Sequence, residues 1–107
     1  MRIPEEIQNA VKQIIAGFNK NIINKNNVWY IPEFRGKNLF MKRMEYGNLS
    51  PVFRLTFNGK MDNWKFAIYR WSRSSYDEDE LFIVPGINHF KGTVESAMKV
   101  GMEAYPV

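Results

Sequence analysis

Arg54, Lys65, Tyr69 and Trp71 combine cations with flat aromatic rings at spacings that two neighbouring strands would bring to one face. Single-stranded nucleic acid needs this pairing: cations hold the phosphates, and each base stacked on a ring is worth roughly 1–3 kcal/mol. A protein partner could use the same residues, because Trp, Tyr and Arg dominate interface hot spots. Arg43 and Arg73 would extend such a face. The competing expectation is that residues 72–90 fold back and bury Tyr69 and Trp71. A second group, His89, Lys91, Gly92 and Thr93, sits at the predicted start of a helix, where free amides and the helix dipole attract anions. Against it stands the capping preference of Thr93, whose hydroxyl can satisfy those amides itself.

A third group, Asp77-Glu78-Asp79-Glu80, offers hard oxygen donors of the kind calcium and magnesium take. It has neither the spacing nor the glycine of an EF-hand loop, and consecutive carboxylates do not converge on one ion without a special backbone. It reads as a solvated acidic loop, and no metal site is expected. His89 is the only histidine, and spacing identifies no partner that would make it a general base. The chain contains no cysteine, which removes disulfides, thiolate metal sites and cysteine nucleophiles. It contains no phosphate-binding glycine loop, no H-E-x-x-H and no G-x-S-x-G. The expectation is a non-catalytic protein without a cofactor that works by binding. Protein interaction or self-association is the first reading, and nucleic-acid binding the alternative.

The net charge of +4 is unevenly placed. Residues 28–76 carry nine basic and three acidic groups, the next four residues are all acidic, and residues 81–107 balance. A basic middle of this kind attracts anions if its cations share a face, and merely solvates the chain if they do not. No run approaches the roughly 20 apolar residues of a membrane span, and no apolar stretch near Met1 resembles a secretory signal. A cytoplasmic protein with no membrane association is expected.

The elements that must position these residues follow from periodicity. The length of 107 residues suits one domain. Ile3, Ile7, Ala10, Val11, Ile14, Ile15, Phe18 and Ile22 recur in steps of three and four, an amphipathic helix stripe, with Pro4 in its first turn and Glu5 and Glu6 at its positive end. Strands are predicted over Val28–Phe34, Leu39–Tyr46, Val52–Phe57 and Trp64–Trp71, separated by turns or loops at 35–38, 47–51 and 58–63. Pro32 cannot donate to a ladder and consigns the first strand to an edge or a bulge. In the hairpin of the third and fourth strands, a two-residue turn at Asn58-Gly59 would place Lys60 and Asp62 on the apolar face. A longer loop over 58–63 pairs Phe57 with Trp64, Leu55 with Phe66 and Phe53 with Ile68, and is preferred because a one-residue slip would turn each strand inside out. The opposite face then carries Val52, Arg54, Thr56, Lys65, Ala67, Tyr69 and Trp71. Leu81–Val84 is a candidate fifth strand. Thr93 caps a second helix through Val94, Ala97, Met98, Gly101 and Tyr105, where Gly101 marks close approach to the sheet.

Two stretches, Met61 to Tyr69 (MDNWKFAIY) and Gly92 to Pro106 (GTVESAMKVGMEAYP), resemble a family of short uncharacterised prokaryotic proteins. That resemblance implies no activity and no site residue. The element order is also similar to the frataxin-like topology, a likeness of fold alone. The iron-binding ridge that this topology would imply needs acids on the first helix, where only Glu5 and Glu6 occur. The expected architecture is a two-layer α+β domain over residues 1–107: an antiparallel four- or five-stranded meander with the N- and C-terminal helices packed on one face.

Overall fold

The computed structural model describes residues 2–107. Helix α1 spans Glu5–Phe18 and runs into a π-helical turn, Asn19–Ile23. Five strands follow: β1 Val28–Arg35, β2 Asn38–Glu45, β3 Asn48–Thr56, β4 Lys65–Arg70 and β5 Ser75–Asp77. Short 3-10 turns at Leu81–Ile83 and Ile87–His89 lead to helix α2, Val94–Ala104. The strands form one antiparallel sheet in the order β1-β2-β3-β4-β5, a meander. Val11, Ile15 and Phe18 of α1 and Val94, Ala97 and Met98 of α2 are buried in one core with Leu39, Met41, Phe53, Leu55, Phe66 and Ile68. This is the two-layer α+β fold the periodicities predict.

The β3–β4 register is the one chosen from apolar pairing, Phe53 opposite Ile68 and Leu55 opposite Phe66. Beyond it the Phe57 and Trp64 rings meet at 5.0 Å. Pro32 lies on the edge strand β1, where its missing N–H breaks no ladder between inner strands. Gly101 is close to the sheet, as its place in the helix suggests. A Cβ there would run into the Tyr30 hydroxyl and press on Val52 Cγ1 at 3.1 Å.

Four expectations change. The stretch 47–51 is mostly strand, because Tyr46-Gly47 turns the chain in two residues, both at positive φ, which suits the twist of a tight hairpin. Pro51 is tolerated in β3 because a bulge sits there: Met41 faces Phe53 and Lys42 faces Pro51, leaving Val52 unpaired. The bulge also turns Val52 toward α2, so it is buried beside Gly101 rather than on the opposite face. The fifth strand is Ser75–Asp77 and not Leu81–Val84. A tight turn over 71–74 reverses the chain at once, and Leu81–Ile83 winds as a 3-10 turn. Its three-residue period brings Leu81 and Val84 to the core and leaves Phe82 81% exposed. Finally, Ile22 leaves the helix stripe. The π-helical turn holds more residues per turn than an α-helix, so Ile23 is buried in its place.

Candidate functional site: the outer face of the sheet

Both helices pack on one face, and strand alternation sends the remaining side chains to the other. Read across the ladder, that outer face has a polarity gradient. Its first row is Arg35, Asn38, Thr56 and Lys65, and the second is Glu33, Phe40, Arg54 and Ala67. The third is Ile31, Lys42 and Pro51, and the last is Trp29, Met44 and Leu49. Trp71 and Tyr69 continue the apolar end onto β4, and Tyr76 faces Tyr69 from β5. Leu49 is 50% exposed, Trp71 54% and Trp29 38%.

Arg54, Lys65, Tyr69 and Trp71 therefore do share a face, yet they form no single site. Lys65 and Trp71 stand at opposite ends of β4, roughly 20 Å apart at about 3.3 Å per residue. The rings of Tyr69 and Trp71 meet edge to face at 5.1 Å, as do Tyr69 and Tyr76, and Tyr76 reaches Phe40 at 5.4 Å. The aromatic residues form a mutually packed cluster more than a row of open stacking platforms. Arg54 is spoken for: its guanidinium lies 5.6 Å from the Tyr76 ring centre, and Glu78 accepts from it at 2.6 Å. Residues 72–90 thus fold back on Tyr69 and Arg54, half-burying them, and leave Trp71 open.

Arg43 does not belong to this face. It follows Leu39 and Met41 in the alternation of β2, so it points toward the helices and is 2% exposed. Its Nε donates to Glu45 Oε1 at 2.9 Å, Nη1 reaches the Gly101 carbonyl at 3.4 Å, and Nη2 donates to the Tyr105 carbonyl. It closes the C-terminal end of α2, where unpaired carbonyls and the negative dipole end favour a cation. A cavity of about 290 Å³ lies between Arg43 and Trp71, but the guanidinium donors are committed inward. Arg73 sits in the turn before β5 and pairs with Asp77 at 3.4 Å.

The basic middle is also largely neutralised. Glu33 takes Arg35 and Lys42, each at 2.8 Å, and Asp77 takes Arg70 and Arg73. Asp77 also accepts from the Asp79 amide at 2.8 Å. That bond, helped by the arginines, holds its carboxyl below the usual range. Lys37, Lys60 and Lys65 have no carboxylate partner among the described residues. Asp77 and Glu78 are each turned to arginines and do not gather with Asp79 and Glu80. Among the described residues no three His, Asp or Glu side chains could hold a metal ion.

At the start of α2, Thr93 and Ser96 form a reciprocal capping box. The Ser96 amide donates to Thr93 Oγ1 at 3.2 Å, and the Lys91 amide donates to Ser96 Oγ at 3.0 Å. His89 Nε2 lies 3.0 Å from Glu103 Oε1, facing a carboxylate and not an empty anion site. A Cβ on Gly92 would meet the Asp62 backbone, so that glycine serves the approach of two chain segments.

Sequence reasoning did not single out Trp29, Met44 or Leu49, whose common row depends on the registers of two hairpins. It also missed Asn19. Its side chain accepts from the Tyr30 amide at 2.8 Å and donates to the Tyr30 carbonyl at 3.1 Å, taking the place of a neighbouring strand on β1. Lys25 bridges Val28, and Pro32 has no N–H to offer. The β1 edge is thereby blocked along much of its length. No helix among the described residues is long and apolar enough to cross a membrane. Compared with protein-family models, curated proteins and solved structures, the chain shows no match.

Proposed function

We propose that this protein is a non-catalytic binding module, working in the cytoplasm, that engages another polypeptide through the outer face of its sheet. The observation that carries this reading is the uncovered apolar end of that face, where Trp29, Met44 and Leu49 line up across three strands beside Trp71. Exposed contiguous apolar surface rimmed by polar groups is where proteins meet partners. The blocked β1 edge directs a partner to the face, and the pairing of Arg54, Arg35 and Lys42 with carboxylates weakens the case for a phosphate backbone. A second reading, single-stranded nucleic acid along the charged end, is favoured by the unpartnered Lys37, Lys60 and Lys65.

A photo-crosslinking amino acid placed at Leu49, or at Ala16 on the exposed side of α1, tests the first reading in cells. Discrete polypeptide adducts are expected from position 49 and not from position 16. Adducts at both positions alike, or at neither, would overturn it.

A further inference from the structure

We infer that the cavity between Arg43 and Trp71 binds an organic cation, the guanidinium or ammonium group of an arginine or lysine side chain. The site stands on its own geometry. That its cation belongs to a bound polypeptide rests on the reading of the sheet's outer face as a protein-binding surface.

The cavity exists because the sheet splits. β3 pairs with β4 only from Phe53 to Thr56. Toward Asn48 no strand among the described residues lies beside β3 on that side, because β4 ends at Arg70 and the chain turns to β5. Pro51 and Trp71 flank the resulting gap, and Tyr105, just beyond α2, lines it from the helix side. At about 290 Å³ it lies at the small end of ligand cavities, enough for one long side chain.

The groups around the cavity set the sign of its ligand. Arg43 has no donor left for an anion, since its nitrogens reach Glu45, the Tyr30 hydroxyl and the Gly101 and Tyr105 carbonyls. Glu45, in contrast, has a bonding position to spare. Both of its contacts with Arg43 fall on Oε1, at 2.9 Å each. Oε2 has no partner among the described residues, on a side chain 30% exposed and therefore within reach of a ligand. Arg43 and Glu45 cancel as a pair, so their surroundings tip the balance. The cavity adjoins the C-terminal end of α2, which is the negative end of its dipole. The half-exposed Trp71 adds an indole face, to which guanidinium and ammonium groups are attracted. A free carboxylate oxygen, a helix C-terminus and an aromatic wall all favour positive charge.

The test is a titration of the whole chain with N-acetyl-arginine amide and N-acetyl-lysine amide, read in amide spectra and at the Trp71 indole N–H. N-acetyl-norleucine amide and sodium acetate are the neutral and anionic controls. Saturable shifts at residues 45, 71 and 105 are expected with one or both cations, at millimolar dissociation constants, and with neither control. Glu45→Gln should weaken that binding by roughly fivefold. Because Glu45 also holds Arg43, Trp71→Leu is the second variant. It should keep a dispersed spectrum and lose about threefold in affinity. Glu6→Gln, in the first turn of α1, should bind like the parent. No saturable shift with either cation, equal shifts with the norleucine compound, tighter binding of acetate, or full affinity in both folded variants would overturn the inference. If position 49 still crosslinks to a polypeptide in that event, the binding-face reading survives without the cation site. Cation binding with no crosslink at position 49 upholds the site and removes a bound polypeptide as the source of its cation.

Discussion

A guanidinium as deeply buried as that of Arg43 must be matched donor for donor, and here Glu45, the Tyr105 and Gly101 carbonyls and the Tyr30 hydroxyl do so. Removing the cation would strand Glu45 and the last carbonyls of α2 together. Arg43→Leu is therefore expected to lower stability by about 3 kcal/mol, seen as a lower urea midpoint at unchanged slope. The exposed pair of Arg54 and Glu78 makes a contrast, worth less than ~1 kcal/mol. Tyr30 beside Arg43 is also a pH reporter. Burial is the main cause that pushes its phenol from 10.0 to about 12, against the pull of the Arg43 charge. The unfolded chain loses this proton first, so its contribution is complete below pH 10 and is lost as pH rises toward about 12. Thermal midpoints measured across that window should fall more steeply in the parent than in Tyr30→Phe.

At the scale of elements, local irregularities position the surfaces. The π-helical turn carries Asn19 to the β1 edge, and the β3 bulge lets Pro51 lie in an inner strand while sending Val52 to α2. Neither feature has a large energy of its own, but each decides which groups are available. Asn19→Ala removes two hydrogen bonds to Tyr30 and should cost about 1–2 kcal/mol. Hydrogen exchange is the more specific check: the Tyr30 amide should exchange with local opening in the variant and only with global unfolding in the parent. Accelerated exchange along the whole of β1 would mean that Asn19 holds the strand in place instead of merely closing its edge.

For the whole molecule, the segregation of charge along the chain is undone by folding. The acidic run after β4 returns against the basic middle, Asp77 on Arg70 and Arg73 and Glu78 on Arg54. The net charge stays at +4, but the arginines on the sheet no longer present a continuous cationic field. What remains open on the outer face is an apolar end at Trp29, Leu49 and Trp71 and a lysine rim at the other end, with Tyr76 and Glu78 lying over the part between.

The helix stripes, the Thr93 cap, the edge place of Pro32 and the β3–β4 register were all legible in the sequence. They depend on near neighbours and on the alternation that one buried face imposes. That same alternation also put Arg43 on the side of Leu39 and Met41, a signal present in the sequence but outweighed by its charge. The fifth strand was not legible, because three residues after a tight turn leave no periodic trace, while Leu81–Val84 is apolar enough to imitate one. Nor was the candidate surface. Trp29, Met44 and Leu49 are fifteen and five residues apart in sequence, and only two hairpin registers laid side by side make them one row. Local sequence thus determined which segments became helices and strands. Which side chains are left facing outward, and which charges are left unpaired, was decided by long-range pairing that only the tertiary structure contains.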